Sequence, residues 1–114
     1  GTALRRFGNK TFAVACPSSP EWRRKLLSMA DLAIELGCSG IFFDQMGLST
    51  CPCCDPTHGH RVPFTTIMKA KADLLEELRA YIKSRRPDMS LGIEWDNDLS
   101  MLTLSIMSAD LPML

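Results

Sequence analysis

The chain has 114 residues, of which 46% are hydrophobic and 23% charged, proportions typical of a globular domain or part of one. Thirteen basic and thirteen acidic side chains leave a formal charge of zero, so there is no basic excess for binding nucleic-acid phosphates. The apolar runs are too short for a membrane-spanning helix, and an odd number of cysteines favours a reducing compartment such as the cytoplasm over a disulfide framework.

The first two predicted elements are a strand and a helix. Residues 11–16 form a short β-prone run that Pro17 closes. A helix is predicted to begin after Ser19, whose hydroxyl can cap the first turn beside Pro20, and to end at Gly37, a typical left-handed stop. The expected apolar face of this helix consists of Trp22, Leu26, Met29, Ala33 and Leu36.

The rest of the chain repeats this alternation around a long loop. Residues 39–44 are continuously apolar, which is typical of a parallel strand covered on both faces. Residues 45–63 form a loop whose length is typical of functional or disordered segments. A second helix is predicted over about residues 65–85 and a strand over Ser90–Glu94, whereas residues 99–107 fit either a helix or a buried segment. The apolar side of the second helix consists of Ile67, Leu74, Leu75, Leu78, Tyr81 and Ile82.

This order of elements predicts an α/β fold with a parallel sheet, in which the three strands are neighbours and both helices cover one face. A (β/α)8 TIM barrel needs about 250 residues. We therefore interpret residues 1–114 as a single partial TIM-barrel-like domain of two to three parallel βα units, a fragment of a larger catalytic domain. A three-layer sandwich is the alternative. The remainder of the barrel, or a self-association partner, is expected to cover the exposed sheet edges.

Two carboxylates end consecutive predicted strands, Asp44 and Glu94. Parallel α/β folds bind ligands at this edge, and strands about 4.8 Å apart allow the roughly 5–5.5 Å carboxyl separation of a retaining glycosidase. We therefore predict that both are catalytic; the alternatives are a cap after the strand for Asp44 and a solvated rim charge for Glu94. Trp95 and Asp96 are predicted to bind substrate, by ring stacking and by hydrogen bonding, although a packed Trp and a rim acid are the common outcomes.

The loop segment Cys51-Pro-Cys-Cys-Asp-Pro-Thr-His-Gly-His60 contains enough soft ligands for a tetrahedral zinc ion. Its two histidines are only two residues apart, however, which does not match the usual spacing in structural zinc sites. We therefore predict no metal and no cofactor, and we expect Gln45, His58 and His60 to contact substrate. Cys16 and Cys38 lie in apolar stretches and are expected to be buried thiols.

The segments Gly40-Ile-Phe-Phe-Asp-Gln-Met-Gly47 and Cys54-Asp-Pro-Thr-His-Gly-His60, with the strand containing Glu94, resemble bacterial glycoside-hydrolase-like TIM-barrel proteins of the domain-of-unknown-function 6259 group. The similarity extends over about residues 12–95. By analogy with retaining barrel glycosidases, the resemblance implies hydrolysis of O-glycosidic bonds in a carbohydrate, with Asp44 as nucleophile and Glu94 as acid/base. The alternatives are a non-catalytic barrel fragment, a carbohydrate-binding remnant, or a small zinc-binding module on the loop. No nucleic-acid or membrane partner is expected.

Overall fold

The computed structural model describes residues 4–7, 9–46, 51–94 and 106–108, which form a mixed α/β fold. The elements are β1 (Leu4–Phe7), β2 (Lys10–Ala13), α1 (Pro20–Glu35), β3 (Gly40–Phe43), α2 (Ile67–Arg85), β4 (Ser90–Glu94) and β5 (Ile106–Ser108). β3, β4 and β5 form a parallel sheet in that order, and β1 pairs with β2 in a separate antiparallel sheet. No helix among the described residues carries an apolar stretch long enough to span a bilayer.

Both ends of α1 follow from local capping chemistry, as the sequence predicted. The Ser19 hydroxyl oxygen accepts a hydrogen bond from the main-chain N–H of Trp22 at 3.4 Å. Gly37 adopts a left-handed conformation with φ of 73°, and the N–H of Cys38 donates to the carbonyl oxygen of Ala33 at 3.0 Å. The N–H of Gly37 also donates to the carbonyl oxygen of Ile34 at 3.0 Å. These two C-terminal bonds form a Schellman motif, which satisfies carbonyl groups that a helix end would otherwise leave unpaired.

The core lies between the two helices and one face of the parallel sheet. From α1 it receives Leu26 and Ala30, whereas Met29 and Leu36 are 41% and 71% exposed, so the predicted apolar face was wrong at those two positions. The physical reason is that the buried face is centred on Leu26 and Ala30, and the helical period turns Met29 away from it. The predicted face of α2 is confirmed, with Tyr81 only partly buried. The other core members are Phe43, Met46, Leu74, Leu75, Leu78, Ile82, Met89, Leu91 and Ile93.

The two faces of the parallel sheet differ in burial. Phe43 pairs with Ile93, and both side chains are buried in the core. Phe42, which pairs with Gly92, is 50% exposed on the opposite face. The prediction of a strand covered on both faces therefore holds for only one face of β3 within the described residues. A shallow open groove runs along the exposed face, lined by Gly40, Ile41, Phe42, Ser90 and Gly92.

Two predicted segments differ from the observed structure. Residues 11–16 do not join the parallel sheet. Instead, Lys10–Ala13, whose side chains are exposed, pairs with Leu4–Phe7 in an antiparallel hairpin. Closing so short a connection costs little conformational entropy, so local pairing is favoured over a distant parallel neighbour. Ile106–Ser108 is a third parallel strand on the free edge of β4, where the sequence suggested a helix or buried segment. Residues 99–105 of that predicted segment lie outside the described residues.

Candidate active site and a cysteine–histidine cluster

The structure brings the two predicted catalytic carboxylates to the same edge of the parallel sheet. Phe43 and Ile93 form the last pair between β3 and β4, so Asp44 follows one strand directly and Glu94 ends the other. The main-chain N–H of Gln45 donates a hydrogen bond to Glu94 Oε2 at 3.2 Å. This bond connects the two strand ends and orients the Glu94 carboxylate.

Gln45 adopts an unusual backbone conformation at this point. Its φ is 58°, in the left-handed region that residues other than glycine rarely occupy. Such conformations cost free energy and cluster at functional sites. Here the conformation turns the chain after the exposed Asp44, aims the Gln45 amide at Glu94, and lets Met46 return to the core. Nothing in the sequence signals this conformation, because it is imposed by the contacts on either side.

Strand alternation determines the direction of Glu94. Successive side chains of a strand point to opposite faces, and Ile93 is buried in the core beneath the helices. Glu94 is therefore directed to the other face of the sheet, the face on which Phe42 is exposed.

His58 and His60 lie in a cluster with two thiols. His58 Nδ1 is 3.4 Å from Cys53 Sγ, and His60 Nε2 is 3.4 Å from Cys16 Sγ. One ligand atom from each of these four residues lies within 4.8 Å of the other three. Among the described residues no other group of histidine, cysteine or carboxylate side chains converges in this way.

A tight turn places the two histidines. Asp55 caps a one-turn 3-10 helix (Pro56–His58), because its Oδ1 accepts hydrogen bonds from the main-chain N–H of Thr57 at 2.8 Å and from the Thr57 hydroxyl at 2.6 Å. These bonds lower the pKa of Asp55. Gly59 follows with φ of 77°, a left-handed conformation that reverses the chain. As a result the ring centroids of His58 and His60 lie 5.8 Å apart, in an edge-to-face arrangement.

The base of the loop is closed by main-chain pairing. Cys53 and Phe64 form an isolated antiparallel bridge, with N–H to carbonyl distances of 3.1 and 2.8 Å. The Phe64 ring also stacks on His60 at a centroid distance of 4.2 Å. The long loop is therefore folded over the range 51–64 by its own contacts.

Cys16 is the member of this cluster that the sequence analysis did not predict. It is a buried thiol, as expected, but it lies against His60, which is 44 residues away in the sequence. Burial raises the pKa of the Cys16 thiol, and the adjacent Cys53 thiol raises it further. Cys51 and Cys54, which have the conventional Cys-x2-Cys spacing, are both exposed.

The structure leaves part of the predicted site undescribed. Trp95 and Asp96, which were predicted to bind substrate, lie outside the described residues. His58 and His60 are described, and one ring nitrogen of each faces a thiol. The other ring nitrogen faces the Asp55 carboxylate in His58 and the Arg61 carbonyl oxygen in His60.

Comparison with known protein families shows where this chain belongs. A family model described as Domain of unknown function (DUF6259) matches residues 2–108, nearly the whole chain. A search of curated proteins returned no match.

Proposed function

This chain belongs to the family described as Domain of unknown function (DUF6259), and we propose its function from the candidate active site. The proposed function is hydrolysis of O-glycosidic bonds in a carbohydrate by Asp44 and Glu94. The activity would belong to a complete (β/α)8 barrel to which this chain contributes consecutive units. The observation that carries the proposal is the hydrogen bond from the Gln45 N–H to Glu94, which connects the residue after Asp44 to the Glu94 carboxylate at one edge of a parallel sheet.

The sheet topology supports the barrel. Its three strands are parallel and follow one another in sequence order, as the strands of a barrel do, whereas a doubly wound sheet reverses its order at a switch point. Buried residues from both helices pack with Phe43 and Ile93 into one cluster. The half-exposed Phe42 lies on the face that further strands of a closed barrel would cover.

The proposed mechanism assigns a different role to each carboxylate. Asp44, which is exposed beyond the end of β3, attacks the anomeric carbon as the leaving oxygen departs. Glu94 protonates the leaving oxygen and then removes a proton from the water that hydrolyses the intermediate. Its Oε2 accepts a hydrogen bond from the main-chain N–H of Gln45, which orients the carboxyl group for these transfers.

Substrate binding in this proposal rests on residues at the same edge. The side chain of Gln45 is exposed beside Asp44, and Trp95 and Asp96 directly follow Glu94 in the sequence. They would supply hydrogen bonds and a stacking surface for a sugar ring. His58 and His60 were predicted to share this role, but their contacts with thiols favour a different one, which is developed below.

The test compares substitutions in the complete barrel on a panel of aryl glycosides and oligosaccharides. Asp44→Asn should abolish turnover while retaining substrate binding, because the shape is kept and the nucleophile is lost. Glu94→Gln should impair substrates with poor leaving groups far more than activated aryl glycosides, which scarcely need the acid. Asp88→Asn is the matched control, since this exposed carboxylate precedes β4 at the opposite end of the strand.

Two results would refute the proposal. The first is near-normal turnover by Asp44→Asn, and the second is a carboxyl separation greater than about 10 Å in the complete barrel, beyond the range of either glycosidase mechanism. Binding of oligosaccharide with no turnover by the unaltered barrel would favour the carbohydrate-binding alternative.

A further inference from the structure

We propose that Cys16, Cys53, His58 and His60 form a structural Zn²⁺ site. The four side chains come from two separate parts of the chain, the segment before α1 and the loop between β3 and α2. Two thiolates and two imidazoles are a common ligand set of tetrahedral structural zinc. Deprotonation of the two thiols on binding would balance the charge of the ion, so a neutral complex would occupy this partly buried position.

The distances fit a tetrahedron around one ion. The edge of a tetrahedron is about 1.6 times the metal–ligand bond, so Zn–N bonds of about 2.0 Å and Zn–S bonds of about 2.3 Å require ligand atoms roughly 3.3–3.8 Å apart. Both sulfur-to-nitrogen contacts are 3.4 Å. All four atoms are already within 4.8 Å of one another, so the longest separation needs to shorten by only about 1 Å.

The oxygen atoms behind the two imidazoles favour the tautomers that a metal requires. His60 Nδ1 lies 3.1 Å from the main-chain carbonyl oxygen of Arg61, an acceptor that requires a proton on that nitrogen. The lone pair is then on Nε2, which faces Cys16. His58 Nε2 lies 3.6 Å from Asp55 Oδ2, which leaves Nδ1 to face Cys53. A carboxylate or carbonyl behind each imidazole is the usual support of a zinc-bound histidine.

The surroundings favour a structural over a catalytic ion. Four protein ligands leave no open position for water or substrate. Phe64 stacks on His60, and the Asp55 turn fixes His58, so the site is built before metal arrives. A bound ion would join the β3–α2 loop to the segment preceding α1 and so fix the course of the chain that leaves Asp44. The histidines would then be unavailable to substrate.

The first test is metal content of the full chain, purified under reducing conditions and dialysed against zinc. Elemental analysis should give one zinc ion per chain, and X-ray absorption should show two sulfur and two nitrogen neighbours. Cys16→Ser and His60→Ala should each lower zinc affinity at least 10-fold, and Asp55→Asn about 10-fold, because it removes the carboxylate charge 3.6 Å from His58 Nε2. Cys51→Ser and Cys54→Ser are the controls, and they should bind as the unaltered chain does.

Several outcomes would overturn the proposal. These are absence of stoichiometric zinc in the unaltered chain, unchanged affinity in Cys16→Ser, or a shell of three or more sulfurs, which would place Cys51 or Cys54 in the site. A Cys16–Cys53 disulfide in place of metal under the same reducing conditions would also exclude it. Because a ligand variant can fail to fold, the unaltered chain provides an independent measurement: a chelator should lower its thermal midpoint, and zinc should restore it.

Discussion

Substitution of Gly40 tests the pairing that brings the two carboxylates together. A Cβ atom on Gly40 would lie 2.3 Å from the Ser90 hydroxyl oxygen and 3.2 Å from the Ser90 carbonyl oxygen. The hydroxyl can rotate away, but it would then lose its hydrogen bond to the Ser39 carbonyl at 3.4 Å, and the carbonyl of Ser90 cannot rotate. Gly40→Ala should therefore strain β3 against β4.

The expected cost is about 1 kcal/mol. Overpacking typically costs roughly 1–3 kcal/mol, and removing the flexibility of a strand glycine returns about 0.5–1 kcal/mol. In a chain of this size that loss lowers the thermal midpoint by about 4 °C. Urea denaturation followed by circular dichroism measures the free energy of unfolding directly.

A second substitution identifies the cause. Ser90→Ala removes the hydroxyl that Gly40→Ala would contact, so the double variant should recover at least about 0.5 kcal/mol relative to the sum of the single effects. Gly37→Ala is the control: nothing lies within 4 Å of its added Cβ, and its cost of about 1 kcal/mol would come from the φ of 73°. It should be additive with Ser90→Ala. Additivity of the Gly40 and Ser90 effects would contradict the register and, with it, the juxtaposition of the strand ends.

Two further predictions concern stability. Leu78→Ala should lower the free energy of unfolding, measured by urea denaturation, by about 2–5 kcal/mol, because Leu78 is 0% exposed. Leu32→Ala, on the exposed side of α1, should change this free energy little. Equal effects of the two substitutions would contradict the assignment of Leu78 to the core. Hydrogen bonds from its own main-chain N–H and from the Ser19 hydroxyl lower the pKa of Glu21. A hydrogen bond from the Arg86 side chain lowers the pKa of Asp88. The unfolded chain therefore binds more protons, so this stability is present above the ordinary values of 4.5 and 3.8 and is lost as pH falls below them. The thermal midpoint should therefore fall as the pH is lowered below these values, and Asp88→Asn should reduce that fall. An unchanged dependence of the midpoint on pH in Asp88→Asn would be inconsistent with the lowered pKa of Asp88.

The sequence by itself determined the features that depend on neighbouring residues. The ends of α1 follow from Ser19 and Gly37, because a capping hydroxyl and a left-handed glycine act within one helical turn. The buried side of α2 and the bounds of β4 were also predictable, since periodicity and apolar runs are local patterns. The carboxylates at the strand ends follow from the same reasoning, because parallel strands present their carboxyl ends at one edge.

Only the tertiary structure decided the features that depend on distant contacts. The hairpin of β1 and β2 and the pairing of β5 with β4 are choices between competing partners, which a short apolar run does not specify. The left-handed Gln45 is imposed by the fold on both sides of it. The approach of Cys16 to His60 across 44 residues has no spacing pattern at all, because α1 and β3 intervene and folding alone brings the two side chains into contact.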